Sequence, residues 1–381
     1  MAKILFAGDF VASNVKNIQF STELKDLISK CDSCCCNFEA PVEGDYGIPI
    51  KKSGPSLMQS KNSPRFLESA GFNIFSMANN HICDYGDLAV KNTLYSFSKS
   101  TTLGAGYFEE AYSYKIKEIG GYKIAFLSAA HDEFGTLKEQ HNQKGVAWIN
   151  HEQINQLIVK AKNEADYLIF IAHVGIEDIE IPLPEWRKRF EEIITLGADA
   201  IISTHTHCIQ GWEFINQKPV FYSLGNFFFE MKSEFEEWNY GLVVILEIND
   251  KGISIDSVNI LHKDQNKLNI DSTQDKKKYV DSLCTLLNSP NIEYNKRVDQ
   301  IALALWDDVY KEYYGNALNR ISLRNGLVSF LKGVFRLLFK NNTINEILLL
   351  NLIRCESHRW MVIRALELVY NNKQQNNTTN V

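Results

Sequence analysis

The segment IISTHTHCIQGWE sets two imidazoles, His205 and His207, two positions apart directly after the apolar run Ala200, Ile201 and Ile202, in a chain with nine histidines in all. Alternate residues of an extended segment point the same way, so both rings reach one point if the chain stays extended past the strand end, with Thr204 and Thr206 facing away. That is the spacing of paired metal ligands, although an isolated pair of this kind is also an ordinary loop feature. Other apolar runs end alike: KILFAGDF at Asp9, CCCNFEAP at Glu39, FNIFSMANNH at Asn80 and His81, and YLIFIAHVG at His173. Taken singly, Asp9 reads as a helix cap, Glu39 as half of a buried ion pair and His173 as a hydrogen-bonded core histidine. Jointly those readings need the same coincidence at every strand end. Carboxylates, imidazoles and an amide oxygen without a thiolate suit manganese, iron or zinc in a hydrolytic centre, where two cations about 3.5–4 Å apart share one carboxylate.

The elements that must position these donors alternate. Between the apolar runs lie helix-like stretches such as STELKDLISK, HEQINQLIVKAK and PEWRKRFEEIITLG, the last opening at Pro184 and closing at Gly197. Strand alternating with helix predicts an α/β sheet whose ligands gather at the carboxyl ends of the strands. The runs KPVFYSLGNFFFE, GLVVILEI and GISIDSVNIL follow with few helical gaps and read as antiparallel strands completing a sandwich of two sheets. HKDQNKLNIDSTQDKKKY reads as a linker, which puts a catalytic domain at residues 1–263 and a mainly helical extension at 264–381. From Arg320 to Arg364 the extension carries Arg320, Arg324, Lys332, Arg336, Lys340, Arg354, Arg359 and Arg364 against Glu346 and Glu356, a basic module on an acidic body. In GLVSFLKGVFRLLFK, Lys332, Arg336 and Lys340 share one helical stripe, suited to packing or to an anionic membrane surface, while NEILLLNLIR and WMVIRALELVY would complete a small bundle.

The chain has 381 residues, 45% hydrophobic and 23% charged, with a formal net charge of −6. This is the make-up of a folded protein with one large core and an extension, polar only at the tail NNKQQNNTTNV. MAKILFAGDF reads as a first strand rather than a secretory leader, and no run of about 18 uncharged apolar residues predicts a transmembrane helix. The cysteines show no repeated spacing, and Cys34, Cys35 and Cys36 alternate across a strand as small buried hydrophobes, which fits a reducing cytoplasm. An acidic body without a basic, aromatic groove argues against a nucleic-acid partner.

FAGDF, NFEAP, ANNHICDYG, GAGYFEEA, AHVGIEDIEIPLPEWR, GADAIISTHTHCIQGWE and PVFYSLGNFFFE resemble, in order, the motifs of the bacterial capsule-synthesis, poly-γ-glutamate family called CapA, a branch of the calcineurin-like metallophosphoesterases. The resemblance runs from residue 3 to about residue 230 and does not cover the C-terminal third. It implies a metallophosphoesterase-like two-sheet sandwich flanked by helices and a centre of one or two divalent ions. Asp9, Glu39, Asn80, His173, His205 and His207 would be the ligands and His81 the general acid. Asn79 would shape the turn, and Asp84 is either a partner of His81 or a turn residue before Gly86. Glu177 and Glu213 would orient a histidine or contact an amine, and Asn226 would fix a loop against the site. Where the superfamily usually has an aspartate this chain has Glu39, and where it has a histidine two residues after the first aspartate this chain has Val11. The implied activity is hydrolysis of a phosphoester or of an amide bond in an anionic polymer, in the cytoplasm or at the inner-membrane surface through the C-terminal helices. The alternative is an accessory protein that binds such a polymer through a degenerate metal site without turnover.

Overall fold

The computed structural model describes residues 1–97, 99–140, 142–231, 233–317 and 345–378. Its centre is β1 (Ala2–Val11), which pairs in parallel with β2 (Ser33–Phe38), itself parallel to β3 (Ile74–Ser76). The chain then builds a second sheet from β4 (Tyr122–Ala130), β5 (Tyr167–His173), β6 (Ala200–Thr204), β7 (Ile209–Ile215) and β8 (Lys218–Leu224). Its six strands lie in the order β7, β8, β6, β5, β4 and Lys115–Ile119. β9 (Asn226–Phe229) returns alongside β1, and β10 (Tyr240–Asn249), β11 (Gly252–Asp264) and β12 (Lys267–Asp271) extend the first sheet as an antiparallel meander. The α/β class and the two sheets are as the sequence predicts.

Alternation along β1 and β2 explains why the sheets stack. Ile4 and Phe6 enter a core shared with Phe126, Ile169, Ile202 and Phe221 of the second sheet, whereas Leu5 and Ala7 face a core with Leu24, Leu67 and Val90 of the helices on the other side. The cysteines obey the same period, Cys35 with the first core and Cys34 and Cys36 with the second, and burial pushes all three thiols up. They are packing residues, since the thiol form is inert. The outer face of the second sheet is covered by α1 (Glu152–Glu164) and α2 (Pro184–Leu196), the latter starting at Pro184 and ending at Gly197 with φ 134°.

The boundary expected near residue 264 is displaced. The first compact unit comprises Met1–Ile50 and Ser56–Ser289. The supposed linker forms the end of β11, all of β12 and α3 (Gln274–Leu287), which packs on β7. β12 lies between β11 and the two-residue strand Gln19–Phe20 and fully buries only Leu268 of its side chains, so its sequence reads as polar. The second unit comprises Lys51–Pro55 and Pro290–Val381. Its described part is helical, as expected: α4 (Asn291–Leu305), a π turn at Trp306–Tyr310, α5 (Lys311–Ala317), α6 (Glu346–Arg354) and α7 (Glu356–Thr378). Tyr294, Val298, Leu352, Met361 and Ala365 form its interior, and Arg364 Nε donates to Asp299 at 2.6 Å. The stripe Lys332, Arg336 and Lys340 lies outside the described residues.

Candidate metal centre

β1 can deliver Asp9 because Gly8 has no side chain: a Cβ there would lie 1.8 Å from the Gly225 carbonyl oxygen. The close approach lets Asp9 N–H donate to that oxygen at 3.1 Å, and the register of β1 on β2 shifts at this point. Next door, β2 and the residue that follows it present Asn37 and Glu39, both buried and two residues apart. Asn37 Nδ2 donates to Asp9 Oδ1 at 2.7 Å and to Glu39 Oε2 at 3.4 Å, and lies 3.2 Å from His173 Nδ1. This amide, absent from the sequence expectations, ties three strand ends together.

His173 ends β5 with Nδ1 3.0 Å from Thr204 Oγ1 and Nε2 3.0 Å from Asn80 Oδ1. His205 Nδ1 stands 3.0 Å from the same Nε2, and His173 Nε2 is 3.6 Å from Glu39 Oε1. His207 completes the group with Nδ1 3.6 Å from Asp9 Oδ2 and Nε2 3.9 Å from Glu39 Oε1.

The pair converges by another route than strand alternation. β6 ends at Thr204, and His205 and His207 adopt left-handed backbone angles, φ 104° and 56°. His205 N–H is held by Asp9 Oδ2 at 3.1 Å. A tight turn rather than an extended segment brings both rings inward, and Thr204, expected to face away, touches His173. Such angles are costly for non-glycine residues, so the surrounding contacts must over-determine them.

His81, 5% exposed, has Nδ1 2.8 Å from Asp84 Oδ2, and the same oxygen accepts from Leu57 N–H at 2.7 Å. Asp84 is therefore the partner of His81, although its backbone N–H also closes a turn onto the His81 carbonyl at 3.0 Å. Asn79 sits inside that turn: Oδ1 accepts from His81 and Ile82 N–H, and Nδ2 donates to the Phe38 carbonyl and to Asn37 Oδ1. Asn226 fixes the far side, with Oδ1 3.0 Å from His207 Nδ1 and Nδ2 donating to the Trp238 carbonyl.

Two of the expected residues stand apart from the cluster. Glu213 is committed to a bidentate pair with Arg187 at 3.0 and 2.8 Å and to the Tyr222 hydroxyl, four residues into β7 and so roughly 13 Å along that strand from Ile209. Glu177 is exposed in the loop after β5. Val11, where the resemblance led to the expectation of an imidazole, packs with Leu57, Phe229, Phe235 and Trp238. Sequence reading also passed over His131, 1% exposed, whose ring centroid is 4.4 Å from that of His205. The signal was present, since YKIAFLSAAHDE is one more apolar run ending in donors.

Burial sets the electrostatics. It raises Asp9 to about 6 against the hydrogen bonds from Asn37, Thr204 and His205. It lowers His207 to about 3 against the contact with Asn226, and holds His173 well below the ordinary imidazole range. Neutral buried imidazoles are ready ligands. Donor atoms of Asp9, Glu39 and His207 lie within 4.8 Å of one another, as do those of Glu39, His173 and His205. Glu39 belongs to both sets, and the Asn80 amide oxygen adjoins the second. The residues present therefore fit one or two divalent cations that share a carboxylate.

Residues 3–231 match the family described as bacterial capsule synthesis protein PGA_cap. The PGA biosynthesis protein CapA of Bacillus subtilis is 31% identical over 211 residues, 54% of this chain and 56% of the relative. The capsule biosynthesis protein CapA of Bacillus anthracis is 28% identical over 203 residues, 51% of this chain and 49% of the relative. The chain thus spans about half the length of these curated relatives. The crystal structure of a hypothetical protein from Thermus thermophilus superposes with a TM-score of 0.45 at 15% identity, covering 69% of this chain and all of its own.

Proposed function

The chain belongs to the bacterial capsule synthesis protein family PGA_cap, and on that footing we propose that it is a metal-dependent hydrolase of the metallophosphoesterase type. Its reaction would serve capsule or poly-γ-glutamate synthesis by cleaving a phosphoester or an amide bond of an anionic polymer. The observation that carries this reading is Glu39, common to both donor sets, in a cluster closed by buried imidazoles. Asp9, Glu39 and His207 would hold one cation, and Glu39, Asn80, His173 and His205 another. When bound, such ions supply Lewis acidity that polarises a phosphoryl or acyl oxygen and lowers the pKa of water.

The remaining work falls to side chains. Asp84 accepts the Nδ1 proton of His81, and in the doubly protonated ring that this carboxylate faces, Nε2–H would hand its proton to the leaving oxygen or nitrogen. Asn37 holds Asp9 and Glu39 in place, and Asn226 does the same for His207. Phe229 and Trp238 back the His207 ring, with centroids 4.7 and 4.4 Å away, and Val11 packs with them.

That packing also favours a second reading. With Val11 in place of an imidazole, the set of Asp9, Glu39 and His207 has one nitrogen donor, as expected of an accessory protein that binds an anionic polymer without turnover. Among the described residues no helix is long and apolar enough to cross a membrane. Protein stripped of metal and reloaded separately with manganese, iron or zinc distinguishes the readings. A hydrolase turns over a model phosphodiester or a γ-glutamyl peptide in a metal-dependent, chelator-sensitive manner. Metal retained without turnover on any such substrate favours the accessory role.

A further inference from the structure

β4 ends at Ala130 and delivers His131, Asp132 and Glu133 beside the centre, and the proposed reaction uses none of them. Asp132 is engaged by Lys138. The other two face inward. The His131 ring is set edge-on to His205 with centroids 4.4 Å apart, and its Nε2 lies 3.5 Å from Glu133 Oε1. One donor atom each from His131, Glu133 and His205 falls within 4.8 Å of the others. The turn that presents them is anchored, because His131 N–H donates to the His173 carbonyl at 3.1 Å and Glu133 N–H to Thr136 Oγ1 at 3.0 Å. The Trp186 indole, 6.1 Å from the His131 ring, gives the group an apolar backing.

We propose that His131, Glu133 and His205 form a further divalent-cation position, adjoining the candidate centre and selective for zinc or cobalt. Two imidazoles and one carboxylate are the donor set of three-ligand zinc sites that keep one position open. A tetrahedral zinc with bonds of about 2.0–2.1 Å holds its donors about 3.4 Å apart, so side-chain adjustments of about 1 Å close the set around an ion. Two donors come from one turn, at a spacing of two residues, and the third from a distant strand end. The set of Asp9, Glu39 and His207 has the opposite balance, two carboxylates to one imidazole, which suits a harder cation such as manganese. The set of Glu39, His173 and His205 has the same balance as the proposed set and shares His205, so zinc lost through His131 and Glu133 but kept by Glu39→Gln marks this position. The proposal depends on the reading of the centre only through His205, an imidazole with two ring nitrogens, of which Nδ1 faces His173.

The test uses the full-length chain, stripped with a chelator and dialysed against zinc alone or manganese alone, with bound metal measured by mass spectrometry and affinity by competition with a chromophoric chelator. His131→Asn and Glu133→Gln should each lose about one equivalent of zinc, or bind it at least about tenfold more weakly, and keep manganese unchanged. Asp9→Asn should lose manganese and keep that zinc. If His131→Asn does not fold by circular dichroism, Glu133→Gln decides, its side chain being 13% exposed. Zinc stoichiometry and affinity unchanged in the folded variants overturn the proposal and leave the centre standing. Manganese uptake that ignores Asp9→Asn, with zinc lost through His131 and Glu133, overturns the reading of the centre and leaves this position standing.

Discussion

At the level of single residues, the cluster was legible because the atoms a cation would need stand out where an apolar strand ends. What was not legible was how they converge. The left-handed turn through His205 and His207 depends on Asp9 accepting the His205 N–H from a strand 196 residues away. Asn37 was invisible for a related reason, since an amide acts as an organiser only when its neighbours surround it. His205→Ala and His207→Ala should each reduce metal affinity by more than the roughly 10–100-fold of a change in a ligand's supporting contact, leaving circular dichroism unchanged. Equal metal content in both variants would refute their assignment. His81→Ala should keep metal and lose about 10²–10⁴ in kcat, less on a substrate whose leaving group needs no proton. Asp84→Asn should move kcat the same way by a smaller factor, because it disturbs the His81 tautomer and spares the ring. A loss independent of the leaving group would make His81 a structural residue.

Strand ends were readable at the level of elements, and elements with a narrow buried face were not. β12 and α3 looked like a linker because their buried faces are narrow, Leu268 in the one and Val280, Leu283 and Leu287 in the other. Gly8 shows how strictly packing limits an element: Gly8→Ala pushes a methyl group into the Gly225 carbonyl and should destabilise the fold by about 1–3 kcal/mol or more, read by urea denaturation, and weaken metal binding through Asp9. In the helical unit, His358 sits 2.8 Å from the Tyr310 hydroxyl and is lowered to about 4 by burial. A lowered imidazole favours the fold fully above its unfolded value, about 6.5, and that contribution is lost as pH falls through about 4. Thermal midpoints should therefore drop from pH 7 to pH 4, and His358→Gln should remove that component of the drop. An identical pH profile in the variant would show that His358 contributes nothing.

For the molecule as a whole, the α/β sandwich and the helical C-terminal region were both foreseen, and the first compact unit ends at Ser289. Lys332, Arg336 and Lys340 lie outside the described residues, and we propose that they meet an anionic lipid surface, each cation there contributing about 1 kcal/mol. Full-length protein should co-sediment with anionic vesicles and be released by salt, and replacing all three with glutamate should abolish co-sedimentation. Vesicle binding indifferent to these charges would assign the stripe to packing. The central claim is that Glu39 joins two donor sets into one metal centre, and metal content tests it most directly. The centre should carry one or two equivalents of manganese, iron or zinc, counted apart from any zinc that depends on His131 and Glu133. Glu39→Gln should lose metal in parallel with activity while remaining folded. A wild-type protein that takes up no divalent metal, or a Glu39→Gln variant that holds as much as the wild type, would contradict the account.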